Sequence, residues 1–481
     1  MSDLTAGLYA ITGALPEYKL ARQFFTGTAK ELFANPRIAA QLRSSADRYR
    51  VNLAKRPVLA IHDRLEIASV SVSVEGEESN EALTELFMDK VYRANEQDIE
   101  IPDALLKALT YGDAYLVVWP TPGQDLDEAS PVADSVDVFL HAPEGMRAVY
   151  SEESPRSIRY VVHTWRTDDD RQRVNLHYAD RTERYVSVRK IEENHGEPDY
   201  RDNQFKPYTE DEAGDEQGTV ANPWGQIPVF HLRTARPYGT PEHVDAYGPQ
   251  NILTKLVATQ LSAVDYYGWP FRYALSKSGT TGADLSDWGD DERTPPARTD
   301  NNIGQPGTLA KLHDTDAVGQ LEASPASNFT EPIAQHVELM ALATGTPMEL
   351  STRNQRVSGE SQREGKEPLV KRAETRQASL GATLQAAYKF AMRILGFPDV
   401  VVTVNWQSAQ RVDSTEGWQT IEIKQRSGVP VRQTLIEAGY APEQVDEWEE
   451  PEPVEAEPGR EFEAAEEPPS PNGDASARAT A

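Results

Sequence analysis

The pattern that most constrains this chain lies between residues 247 and 396. Two helical stretches bracket a polar, Gly- and Pro-rich insert, and a much longer helix follows. Ile252, Leu253, Leu256, Val257, Leu261 and Val264 recur at i, i+3 and i+4 steps behind Gly248-Pro249, which predicts an amphipathic helix ending near Tyr267-Gly268. Ile333, Val337, Met340 and Leu342 predict a second helix over 329–343, broken by Thr344-Gly345-Thr346-Pro347. Between them, residues 269–326 hold a short strand signal from Trp269 to Leu275, then Trp288, Pro295-Pro296 and Gly304-Gln305-Pro306-Gly307, with further strand signals at 308–312 and 318–322. That insert is too polar for a core of its own and must gain order from neighbours. The third helix, 358–395, has Ser361 and Glu364 at capping-box spacing and stops at Gly396. Its stripe is Leu369, Ala373, Leu380, Leu384, Ala387, Tyr388, Ala391, Ile394 and Leu395, with Pro368 and Gly381 as places to bend. The stripes at 252–264 and 369–395 have two readings: contacts between copies in a closed ring, or packing on their own domain.

Upstream, residues 17–66 read as helical and Val70 to Val74 alternates as a strand. Short helices are expected at 83–92 and 101–109, the second with Pro102 in its first turn. Tyr111-Gly112-Asp113 is a turn, and Ala114 to Trp119 a strand closed by Pro120. Strands are expected at 136–140, 148–150, 157–167, 174–178, 184–188 and 228–232, with 191–222 a polar loop. Downstream come a strand at 400–406 and short helices at 415–425 and 431–439. Beyond Trp448 the Glu-, Pro- and Ala-rich composition is that of a disordered tail. The class is α+β, with helices preceding a largely antiparallel sheet.

Composition narrows the function. The 481 residues include 48 basic and 77 acidic side chains, a net charge of −29, which argues against a simple nucleic-acid-binding surface built on a basic stripe. There is no cysteine, which excludes disulfides, thiolate metal sites and cysteine nucleophiles. Met1 to Leu20 lacks a basic region followed by an apolar run, so no signal peptide is expected. No stretch approaches the ~18 apolar residues of a membrane span. No P-loop, H-E-x-x-H or G-x-S-x-G motif occurs. His163 and His177 occupy strand positions able to face each other, and a structural role is expected. Asp168-Asp169-Asp170 and Asp290-Asp291-Glu292 read as acidic turns in preference to cation sites. No metal or cofactor is expected.

Several landmarks fall in a recognisable order: Tyr111-Gly112-Asp113-Ala114-Tyr115, then Gly225-Gln226-Ile227-Pro228-Val229-Phe230, the helix at 251–267, Pro270-Phe271-Arg272, and Ser358-Gly359-Glu360 opening a long helix with Lys366, Glu367, Leu369 and Lys371. This order resembles the portal (head–tail connector) proteins of tailed bacteriophages, of the siphophage type, across residues 15–445. The resemblance implies a portal-like fold: a wing of antiparallel sheet and helices at 1–246, stem helices at 247–268 and 327–343, a small α/β clip at 269–326, and a tunnel loop at 344–357. A long wing helix and strand at 358–406 and a helical crown at 407–447 complete it, leaving 448–481 as an acidic tail the resemblance does not explain. It further implies a non-enzymatic ring, usually of twelve copies, at one capsid vertex of the virion, assembled in the host cytoplasm. Double-stranded DNA would enter and leave through the ring. Implied partners are the terminase large subunit, the head–tail adaptor, and the major capsid and scaffolding proteins. Arg353, Asn354, Gln355 and Arg356 become candidates to meet passing DNA, although the two arginines could equally be solvated or paired with a neighbour's carboxylate. Ile252, Leu256, Leu261, Val264 and Val337 become candidates for stem contacts between subunits, and Trp288, Arg293 and Arg298 for partner binding by the clip. Because each phosphate neutralised by Lys or Arg adds affinity, a channel that must release DNA suits an acidic chain. Two rivals stand: an α+β hydrolase with a long helical insertion, and another capsid or connector component.

Overall fold

The computed structural model describes residues 2–29, 51–74, 80–124, 131–154, 156–192, 201, 204–209, 217–235, 238–268, 272–276, 309–313, 317–320, 327–347, 359–410, 421–437 and 445. The chain opens on α1 (Asp3–Thr26), whose first turn is capped by Ser2 Oγ accepting the Thr5 N–H at 3.2 Å. The expected helix begins only at residue 17. Leu4, Leu8 and Ile11, spaced i, i+4, i+7, carry it back to Asp3, and Pro16 lies inside it. Next come α2 (Arg56–His62), β1 (Ile67–Val74) and α3 (Glu81–Phe87). Where a single helix was expected, α3 passes into a π-helical turn, Met88–Arg93. α4 (Gln97–Tyr111) begins before Ile101, so Pro102 lies inside the helix and not in its first turn.

β2 (Asp113–Pro120) pairs antiparallel with β3 (Val136–His141). The outer edge of β3 is closed by side chains. Asn95 Nδ2 donates to Val136 O at 3.0 Å, Asn95 Oδ1 accepts the Val138 N–H at 2.7 Å, and Gln97 Nε2 donates to Val138 O at 3.0 Å. β4 (Met146–Tyr150), β5 (Ile158–Arg166), β6 (Arg171–His177), β7 (Arg181–Lys190) and β8 (Phe205–Pro207) form an antiparallel sheet in that order, and β9 (Thr219–Ala221) also pairs with β7. β8 and β9 fall where a loop was expected; three residues each, they are too short to show alternation. Leu4, Leu8 and Ile11 of α1 pack on Tyr160, Val162, Val174 and Leu176 of this sheet. β10 (Val229–Arg233) pairs with the other side of β2, and Tyr115, Val117 and Val229 meet Met146, Ala148 and Val161, joining the two sheets.

α5 (Tyr247–Gly268) follows, then β11 (Arg272–Ser276), β12 (Leu309–His313) and β13 (Ala317–Gln320) in a small sheet where β11 is parallel to β12 and antiparallel to β13. α6 (Ser327–Thr344) packs against α5. α7 (Gly359–Ile394) has 36 residues, about 54 Å at 1.5 Å per residue. It ends before β14 (Val400–Trp406), which pairs with β1 and so ties the early chain to the late one. A helical turn at 421–426 and α8 (Val431–Glu437) complete the described chain. The stripe of α7 packs on its own subunit: Leu380, Leu384, Tyr388 and Ile394 are fully buried in one core with Val58, Phe87, Leu105, Leu116 and Val402. Of the two readings of that stripe, the domain-core one is therefore correct. Gly381 is where α7 meets β14; a Cβ there would lie 2.7 Å from Trp406 Nε1, so this glycine serves close approach.

Candidate functional site at the helix junctions

α5 and α6 share a core with the end of α1, in which Leu253, Val337 and Met340 are buried with Phe24, Ala54 and Ala246. Phe24 and Tyr247 stack with ring centroids 4.0 Å apart. Gln250 Oε1 accepts the N–H groups of Leu53 and Ala54 at 2.9 and 3.0 Å, while its Nε2 donates to Val51 O at 2.8 Å. The base of the helix pair is thus bolted to the N-terminal part of the chain. At the same level the pair presents other apolar side chains outward: Ile252 is 47% exposed, Leu339 55% and Leu342 74%.

The end of α6 is held on α7 by a buried ion cluster. Glu242, which precedes α5, is buried, and Arg376 donates to its carboxylate through Nε at 3.1 Å and Nη2 at 3.4 Å. Arg372 lies 3.8 Å from the same carboxylate and donates from Nη1 to Thr344 O at 2.7 Å. A guanidinium on the last carbonyls of a helix also meets the negative end of its dipole. The Glu242 N–H donates to Leu109 O at 2.9 Å, so α4, α6 and α7 converge on one residue.

A second buried cluster surrounds Asp113, at the start of β2. Gly112, with φ +86°, turns the chain out of α4, and a Cβ there would lie 2.4 Å from Thr240 N. Asp113 Oδ2 accepts the Tyr18 hydroxyl at 2.6 Å, and Oδ1 accepts His231 Nε2–H at 2.7 Å and the Gly239 N–H at 3.3 Å. That fixes the tautomer of His231, whose Nδ1 accepts the Tyr150 hydroxyl at 2.8 Å. Arg147 Nη1 donates to Tyr18 Oη at 2.6 Å and sits 4.1 Å above the Tyr238 ring. Burial, reinforced by the Asp113 charge, drives the Tyr18 phenol far above its ordinary range. An Asp–His–Tyr line has the composition of a proton relay, but the side chains of Asp113 and His231 are 0% and 1% exposed, so no substrate reaches them. The cluster is a joint between α1, β2, β4 and β10.

The family model described as "Phage portal protein, SPP1 Gp6-like" matches residues 40–452. The chain belongs to this portal protein family. No curated protein matches it. Among solved structures, a chain of "Virion of native gene transfer agent (GTA) particle" is similar at 13% identity and a TM-score of 0.42, covering 89% of this chain and 99% of that one. A chain of "Neck of empty GTA particle computed with C6 symmetry" gives 14% and 0.43, covering 87% and 97%. As a portal protein the chain is a structural component of a phage head–tail connector, and the hydrolase reading falls away.

The candidates of the sequence reading distribute unevenly in this portal subunit. Ile252 is exposed, Leu256 and Leu261 are half-buried, and the side chain of Val264 lies outside the described residues. Val337 is 3% exposed, its surface taken up inside the subunit. Leu339 was missed because it falls off the 333–337–340 face that marks the helix. Arg353, Asn354, Gln355 and Arg356, and likewise Trp288, Arg293 and Arg298, lie outside the described residues. Asp169 and Asp170 of the acidic turn pair with Arg171 and Arg166. His163 does neighbour His177, with rings 6.4 Å apart, but its hydrogen bond goes to His141, Nε2 to Nε2 at 2.7 Å.

These imidazoles give the portal protein an acid sensitivity of known sign. Burial holds His163 well below the ordinary value of 6.5, with His141 and His177 adding to it, and burial and His141 bring His177 to about 4. Between about pH 6.5 and 4 the unfolded chain therefore binds more protons than the folded one, and stability falls as pH falls through that window. The unfolding temperature should drop from pH 7 to 4.5, and more steeply than in a His163→Gln, His177→Gln double variant. Parallel profiles for the two proteins would remove the histidines from the explanation.

Proposed function

We propose that this portal protein closes into a ring of twelve copies at one capsid vertex of the virion, and that double-stranded DNA is packaged and later ejected through its channel. The family match over residues 40–452 carries this reading. Exposed Ile252, Leu339 and Leu342 support it, because a stem helix pair with apolar surface facing outward suits head-to-tail packing that closes by rotation. In this reading α5 and α6 are the stem, the segment between them is the clip, residues 344–357 bring Arg353 and Arg356 to the channel, and residues 1–246 form the wing. Trp288, Arg293 and Arg298 of the clip meet the terminase large subunit during packaging and the head–tail adaptor afterwards. Capsid and scaffolding proteins surround the ring, which forms in the host cytoplasm. No bond-making step is assigned to the chain.

Native mass spectrometry and negative-stain imaging test the proposal. The expected species is a ring near twelve times the 53.4 kDa chain mass, and Leu339→Glu with Leu342→Glu should shift it toward free subunits. A 53.4 kDa species alone, under every condition tried, would overturn the ring. Removing 276–322 should abolish co-purification with terminase and adaptor; retention of both would end the clip assignment.

A further inference from the structure

The six-stranded sheet carries a polar patch on the face turned away from α1. Tyr160, Val162, Val174 and Leu176 occupy the α1 face, so period-two alternation puts His163, Arg173, Asn175 and His177 on the other. Register makes Asn175 the centre: it lies opposite His163 on β5 and Arg184 on β7, with Arg173 and His177 two residues away along β6. None of these five side chains is a carboxylate, in a chain of net charge −29. Arg173 Nε, Asn175 Oδ1 and His177 Nε2 are buried and have no hydrogen-bond partner among the described residues. The Asn amide can present either its oxygen or its nitrogen, so the patch can offer N–H donors from three sides. The Arg173 guanidinium lies 3.2 Å from the Tyr208 ring centroid and 5.5 Å from that of Trp165. These rings fix its plane without using its N–H groups. Arg173 makes no ion pair among the described residues, and the Arg173 and Asn175 side chains are partly exposed, so the rim of the patch meets solvent while the unpartnered atoms lie beneath it.

We propose that this patch binds a small oxyanion of the phosphate class, held by the Arg173 guanidinium, the Asn175 amide and the His177 imidazole. An oxyanion supplies the acceptors these donors lack, and a tetrahedral one reaches several sides at once. Binding should strengthen on acidification, because an anion beside His163 and His177 favours their protonated forms.

The test uses the full-length protein, with equilibrium dialysis against inorganic phosphate and thermal unfolding in phosphate or chloride at equal ionic strength. Saturable phosphate binding and a higher unfolding temperature in phosphate than in chloride are expected, with no equivalent response to a short DNA duplex. Arg173→Met should weaken phosphate binding at least tenfold. Asn175→Asp places a carboxylate at the centre of the patch; it should abolish phosphate binding and raise the unfolding temperature in chloride. Equal responses to phosphate and chloride, a response to duplex alone, binding retained in both variants, or a lowered unfolding temperature for Asn175→Asp would each overturn the site and leave its donors to water.

Discussion

Replacing Asp113 with alanine should destabilise the subunit by about 3–5 kcal/mol, the cost of removing one partner from a buried charged cluster. The carboxylate is fully buried, and its loss strands the Tyr18 hydroxyl, His231 Nε2–H and the Gly239 N–H together, with Arg147 4.0 Å away losing its counter-charge. The four elements joined there come from distant parts of the chain, so the defect should show as loosened packing of α1 on the first sheets. Thermal unfolding and limited proteolysis within α1 measure it. Asp113→Asn, which keeps one carbonyl acceptor, should lose less. A wild-type unfolding midpoint for Asp113→Ala would show that the cluster contributes packing alone.

The second large effect is expected at Glu242. In Glu242→Ala, Arg376 keeps its place in the core without its carboxylate, again worth about 3–5 kcal/mol. Arg372 still reaches Thr344 O but loses the charge 3.8 Å away that positions it. Hydrogen exchange should rise at the Gly345 and Thr346 N–H groups, which bond to Leu342 O and Ala341 O, and along the middle turns of α7 that carry Arg372 and Arg376. Exchange at the α5 base around Leu253 should stay unchanged, since Gln250 secures that end separately. Uniformly faster exchange over both ends would mean that Glu242 supports the whole subunit and not the junction.

Periodic elements were legible in the sequence, and their partners were not. Leu380, Leu384 and Tyr388 marked α7, and alternation marked β5, β6 and β7, because burial on one face writes itself into residue spacing. The contacts that fix the architecture join Tyr18 to Asp113, Asp113 to His231, and Glu242 to Arg376. Each pairs one ordinary polar residue with another far along the chain, and no local pattern announces it. His163 shows the same limit: its strand neighbour His177 followed from alternation, whereas His141 comes from another sheet. On α6 the spacing that marks the helix picks out Val337, which is buried, and passes over Leu339, which is exposed. The π-turn after α3 and the short β8 and β9 have no spacing to be read.

The side chains along β3 bear on how many copies of such a protein remain separate before they assemble. A sheet edge with free ladder groups recruits any strand that passes. At β3 the Val136 carbonyl and both ladder groups of Val138 are already engaged by Asn95 and Gln97, and Leu140 N donates to Glu100 at 3.4 Å. A crowded pool of subunits therefore has no template at this edge for unlimited stacking. In the proposed ring, association then falls to the helical surfaces, where contact ends once a circle is complete.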